Sequence, residues 1–181
     1  MLKSLFIAFF LSFPFFIKGE AQTTEQSKSS GLKKCTVFTA GDDNVNSYRI
    51  PSLLTAKDGT LLVFCEARRD SWRDKSRTDI VVKRSEDIGK TWSIMQDLTQ
   101  GTTGAYMDPT PVLDSITGRI FLFTTFWPAE DHSGAKNRAI LITSGDNGKT
   151  WSLPVDVTSA IIPAGYHIVG FGPGAGLQMS G

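Results

Sequence analysis

A chain of 181 residues, 40% of them hydrophobic, with 19 Lys and Arg against 18 Asp and Glu, has the length and composition of one ordinary soluble globular domain. Its formal net charge is +1 and no basic or acidic run breaks the balance. That argues against a nucleic-acid partner, which calls for a basic stripe.

Residues 1–21 stand apart. Lys3 is the only charge before Lys18, and residues 5–17 are almost all apolar, with six Phe. Gly19-Glu20-Ala21 then places small residues one and three positions before a cut. This is the pattern of a secretory signal peptide cleaved near Ala21. The alternative is an uncleaved anchor, but the apolar run is short for a membrane span. The product is therefore read as secreted or periplasmic, with no stable membrane insertion expected. Residues 22–33 open with a polar run and are expected to form a disordered leader. Cys35 and Cys65 remain after cleavage. An exported protein can join two such residues in a disulfide or keep them as free thiols, and the sequence leaves both open. His132 and His167 are isolated, no His or Cys spacing points to a metal, and no cofactor is expected.

From residue 34 onward the chain reads as short strands: 34–39, 49–55, 60–66, 79–84, 91–95, 110–113, 119–126, 138–143 and 151–155. Turn signals separate them, and no long segment carries a 3.6-residue apolar period, so the fold class is all-β. One stretch organises the rest. Ser85-Glu86-Asp87-Ile88-Gly89-Lys90-Thr91-Trp92-Ser93 recurs as Ser144-Gly145-Asp146-Asn147-Gly148-Lys149-Thr150-Trp151-Ser152, starting 59 residues later. Ser, Asp, Asn and Gly favour tight turns, so each copy is read as a hairpin turn between two strands. The Trp is expected to fold back over the turn, with its ring buried and its N–H on an acceptor. Grouped by the repeat, the strands form two four-stranded units over residues 49–98 and 108–157, each about the size of a propeller blade. Residues 166–178 look like the opening of a third. Two units and a start do not close a ring, and their end faces would meet water. The sequence is therefore expected to be a fragment of a longer protein, with an assembly that completes the ring as the alternative.

The residues with chemical potential come in a fixed order: Tyr48-Arg49-Ile50-Pro51, then Asp58-Gly59-Thr60-Leu61-Leu62, Glu66-Ala67-Arg68, Asp74 and the first turn repeat. Pro51 cannot donate to a ladder and belongs at a strand edge. An Arg beside it can grip a carboxylate through two parallel hydrogen bonds. The repeat Ser-x-Asp-x-Gly-x-Thr-Trp resembles the Asp-box, and the whole order resembles the N-terminal part of the exo-α-sialidase (neuraminidase) family with Asp-box (BNR) repeats. The resemblance covers residues 48–178, including Gly172-Pro173-Gly174-Ala175-Gly176-Leu177-Gln178. It implies a six-bladed β-propeller, of which this chain supplies about two blades and the start of a third, with residues 34–181 as a partial propeller domain.

The same resemblance implies the roles. Arg49 matches the first of three arginines that clamp the carboxylate of sialic acid. Arg68 matches an arginine near the substituents of the sugar ring. Asp74 matches the general acid/base, with Asp70 and Asp79 as competitors. Asp108 matches an aspartate facing the pocket, and its other reading is a turn cap before Pro109. Sialic acid carries a carboxylate on its anomeric carbon, so the nucleophile implied is a Tyr rather than a second carboxylate, assisted by a Glu. Asp74 would protonate the departing oxygen and later activate water. Trp72 is expected to give it dry surroundings that keep its proton on. No Arg follows Arg138 and Tyr166 has the wrong context, so the Tyr, the Glu and two clamp arginines are expected in later blades, and the isolated chain is expected to be nearly inactive. The implied partners are sialylated glycoproteins, glycolipids or oligosaccharides. A non-catalytic Asp-box propeller that binds glycan or protein, and a trans-sialidase, are the alternatives.

Overall fold

The computed structural model describes residues 34–101, 103–168 and 170–179. The expected signal peptide and leader lie outside them. Eight strands follow in order: β1 (Ser47–Thr55), β2 (Leu61–Arg68), β3 (Thr78–Ser85), β4 (Gln96–Asp97), β5 (Ala105–Leu113), β6 (Ile120–Trp127), β7 (Arg138–Ser144) and β8 (Val155–Asp156). A single turn of helix, α1 (Thr158–Ile161), comes after them. β1 to β4 pair antiparallel in sequence order, and β5 to β8 do the same. The two meanders meet through one parallel pairing, Thr78 with Ala105.

Alternation along the strands decides what faces what. Leu62 and Phe64 on β2, with Ile80 and Val82 on β3, point to one face of the first unit. They pack there with Tyr106, Ile120, Leu122, Ile140 and Ile142 of the second. The apolar core thus lies between the two units. The intervening residues Cys65, Ala67 and Val81 point the other way and are covered by Val45, Phe38, Tyr48 and Met95. Cys65 and Cys35 are both free thiols, the first buried and the second exposed. Burial, then the Glu66 charge, pushes the Cys65 thiol up to about 12.

Each repeat is a hairpin turn knotted by its Asp. Asp87 Oδ1 accepts from the N–H of Lys90 (3.1 Å) and Thr91 (2.9 Å) and from the Ser85 hydroxyl (2.8 Å), while Oδ2 accepts from the Thr91 hydroxyl (2.7 Å). Asp146 binds Thr150 and Ser144 in the same way. At Asp87 these donors hold the carboxyl down at about 2; at Asp146 burial pushes it up, but the donors together outweigh that and hold it down at about 2 as well. The two central residues have positive φ in each copy: Ile88 60° and Gly89 78°, Asn147 58° and Gly148 77°. That is the handedness that matches a hairpin to the twist of its strands.

Three expectations fail locally. Trp151 does turn back, its N–H reaching the Gly148 carbonyl at 3.2 Å, but the buried Trp92 N–H has no partner. In place of the strands expected at 91–95 and 151–155 there are two-residue strands further along, Gln96–Asp97 and Val155–Asp156. After each Trp a serine hydroxyl replaces the ladder's carbonyl: Ser93 Oγ accepts from Arg84 N–H at 3.0 Å and Ser152 Oγ from Thr143 N–H at 2.9 Å. Regular pairing resumes only beyond them. Residues 34–39 form no strand. They attach through packing, with Phe38 on the Tyr48 ring at 4.8 Å.

Residues 170–179 lie along β5 without joining a sheet. Gly176 N–H donates to the Pro111 carbonyl at 2.8 Å, the Thr110 hydroxyl to Gly172 at 2.8 Å, and the Ser52 hydroxyl to Gly174. A side chain at Gly176 would stand 2.2 Å from Val112 Cγ2, so this close approach requires glycine.

Candidate active site

The first strand of each unit is interrupted in the same way. In Tyr48-Arg49-Ile50-Pro51 the pairing with β2 slips between Arg49 and Ser52. In Tyr106-Met107-Asp108-Pro109 the pairing with β6 slips between Met107 and Thr110. The residue before each Pro has a positive φ, 51° at Ile50 and 57° at Asp108. Bulges re-aim side chains, and Pro has no N–H to leave unpaired when the ladder breaks. Asp108 thus occupies in the second unit the position Ile50 holds in the first. The sequence signal for both bulges is the Tyr-x-x-Pro repeat, Tyr48 to Pro51 and Tyr106 to Pro109.

A buried ion pair joins the two units at this end. Glu66 and Arg68, two apart on β2, share one face. Glu66 Oε2 accepts from Arg68 Nη2 at 2.7 Å and from Nε at 3.0 Å. Its Oε1 accepts from the backbone N–H of Asp108 at 3.0 Å. The rest of the guanidinium reaches into the β2–β3 loop: Nη1 donates to the Trp72 carbonyl at 2.7 Å and Nη2 pairs with Asp74 Oδ1 at 2.7 Å. A buried pair of this kind fixes geometry more than it adds stability. Glu66 is therefore the organiser of the site, and the sequence reading gave it no role. The signal was present, since residues two apart on a strand point the same way.

The structure brings Arg68, Asp74 and the Asp108 backbone together through that pair. Arg49 lies opposite Glu66 in the β1–β2 register and is open to solvent. The Asp108 carboxyl is half-buried and is pushed up to about 6. Burial is the main cause and the negative charges of Glu66 and Asp74 add to it, against the pull of Arg68. The Asp108 carboxyl accepts no hydrogen bond from the turn that follows it among the described residues, so the turn-cap reading does not describe it; its backbone N–H goes to Glu66. The dry setting expected for Asp74 is absent: its side chain is 75% exposed, and Trp72 is exposed too. What holds Asp74 is the Arg68 guanidinium.

The competing carboxylates point elsewhere. Asp70 pairs with Arg77 at 3.1 Å on the surface. Asp79 is buried on β3, on the face opposite Glu66, where Arg69 Nε reaches it at 2.8 Å. Arg69 also pairs with Asp97, whose carboxyl is pushed up to about 6 by burial and then by the charge of Asp79. The arrangement at the mouth, an open arginine, a second arginine locked by a buried Glu and a carboxyl exposed beside it, can bind an anionic polar ligand and exchange a proton with it.

Comparison with known proteins follows the same lines. The BNR repeat-like domain family matches residues 50–181. A sialidase of Bacteroides fragilis (strain YCH46) is 31% identical over 163 residues, covering 78% of this chain and 30% of the relative. A sialidase of Paraclostridium sordellii is 35% identical over 140 residues, covering 70% of this chain and 34% of the relative. The chain spans about a third of the length of these curated relatives. Among solved structures, the Hadza microbial sialidase Hz136 superposes with a TM-score of 0.69 and 30% identity, over 77% of this chain and 32% of that one. The fold is all-β and of the sialidase propeller type, and the two meanders are its blades.

Proposed function

The chain belongs to the sialidase family with BNR repeats, and from that premise we propose that the protein is an exo-α-sialidase. It releases terminal sialic acid from glycoproteins, glycolipids or oligosaccharides with retention of anomeric configuration. The buried Glu66–Arg68 pair, which gathers Asp74 and the Asp108 backbone at one mouth, is the observation that supports this most. Arg49 takes one side of the substrate carboxylate by charge-assisted hydrogen bonds. Arg68, its guanidinium already oriented by Glu66, and the Asp108 carboxyl hold polar substituents of the ring. Asp74 is exposed where an incoming glycoside arrives; once the bound aglycone covers its carboxyl and excludes water, it holds the proton it gives to the leaving oxygen, and it then takes a proton from water. By the family resemblance a Tyr is the nucleophile, which spares the anionic substrate a second carboxylate. Export through residues 1–21 fits a glycoconjugate substrate outside the cytoplasm.

The test is Asp74→Asn in the full-length protein. Turnover of a sugar-linked sialoside, whose leaving group needs a proton, is expected to fall by about two to four orders of magnitude. An aryl sialoside with a good leaving group is expected to be hydrolysed far less impaired in its first step. A near-normal rate on the sugar-linked substrate would overturn Asp74 as the acid, whereas no turnover by the unaltered full-length protein would favour a glycan-binding propeller.

A further inference from the structure

The loop that carries Asp74 is gripped from both blades. Arg68 holds it from the first. From the second comes a contact made by the neighbouring residue, Lys75, whose φ is 61°. An L side chain in that conformation is held against strain. The turn sends the Lys75 ammonium over the Trp127 ring, 3.7 Å from its centroid. Trp127 ends β6 and is itself fixed. Its indole N–H donates to the Asp131 carbonyl, and Gly134 lies against the ring, where a Cβ would stand 3.3 Å away. The Asp131 carboxylate ties the same loop together, accepting from Ser133 N–H at 3.0 Å and Lys136 N–H at 2.7 Å.

We infer that Lys75 and Trp127 are positioning residues for Asp74, a cation–π clasp between the blades that fixes the acid's loop at the mouth. This rests on the general acid/base role proposed for Asp74. A proton donor must stand within hydrogen-bond reach of the oxygen it serves, and small displacements cost rate. An exposed cation–π contact biases such a loop by about two- to five-fold, and that is the size of effect the clasp exerts on proton transfer.

The experiment uses the full-length protein with Lys75→Met, which keeps the stem and removes the charge, and Lys75→Arg, which keeps the cation. Each is assayed on a sugar-linked sialoside and on an aryl sialoside with a good leaving group, alone and with Asp74→Asn. Lys75→Met is expected to lower kcat/KM about two- to five-fold on the sugar-linked substrate and to leave the aryl substrate unchanged. Lys75→Arg is expected to restore the rate. In the Asp74→Asn background Lys75→Met is expected to add nothing, because it acts through the carboxyl. Equal losses on both substrates, no loss on either, or a loss that persists without Asp74 would each overturn the clasp. If Asp74→Asn itself fails to distinguish the two substrates, the acid assignment has failed, and the clasp falls with it.

Discussion

At Asp108 a backbone requirement and a side-chain requirement meet. The backbone N–H feeds the buried Glu66, the φ of 57° breaks the strand, and the carboxyl is left half-buried beside two negative charges. Its folded value of about 6 lies above the ordinary carboxylate value of 3.8, so folding favours the protonated form. The stability this contributes is complete below the ordinary range and is lost as pH rises through about 6. Asp108→Asn stays neutral throughout. Its thermal midpoint is expected to fall less than that of the unaltered protein between pH 4 and pH 8, while Asp97 titrates in both and cancels from the difference. Parallel falls in the two proteins would rule out the raised carboxyl. At this scale the sequence was partly legible. Arg49, Arg68 and Asp74 stand in motifs whose order carries meaning. Glu66 was missed because its importance lies in what it holds: the Asp108 N–H sits 42 residues away, brought near only by the packing of one blade on the other.

The Asp-box turn shows what local sequence can and cannot specify. Its Asp knot depends on residues within one short window, so both hairpins were readable. The strands that follow were not. Whether Ser93 and Ser152 extend a ladder or replace its acceptor with a hydroxyl depends on the partner strand. Within the turn itself one copy is suboptimal. Ile88 takes the left-handed position that Asn147 takes in the second copy, and its side chain is 85% exposed. A β-branched residue is strained there, whereas Asn tolerates the conformation. Ile88→Asn gives up little packing and is expected to stabilise the protein by about 1 kcal/mol, read as a higher denaturant midpoint at unchanged slope. No change, or a loss, would mean that the exposed Ile is held by something other than the turn.

Across the whole chain the two Asp-boxes, alike in the bonds their Asp makes to Ser and Thr, differ in their neighbours. The second box is seated on the first blade: Arg84 Nε reaches the Asn147 carbonyl at 3.1 Å, and Trp151 stands edge-on to Phe64 at 5.6 Å. A Cβ at Gly148 would come within 2.6 Å of Leu62 Cδ2. A Cβ at Gly89 meets only ordinary contacts, Trp92 at 3.7 Å and Leu61 at 3.8 Å. Both glycines have nearly the same positive φ, so an Ala at either incurs the same left-handed penalty of about 1–2 kcal/mol. Only at Gly148 does it also press into the core shared by the blades, and overpacking there adds about 1–3 kcal/mol. Gly148→Ala is therefore expected to destabilise the protein more than Gly89→Ala, with the excess measured by denaturant unfolding of the two variants side by side. Leu62→Ala, which opens the space the new methyl needs, should shrink that excess, since residues sharing one packing site do not act additively. Equal losses at the two glycines would mean that the second box does not rest on Leu62. The core between the sheets, where Phe64, Ile80 and Val82 meet Ile120, Leu122, Ile140 and Ile142, would then end short of the turn.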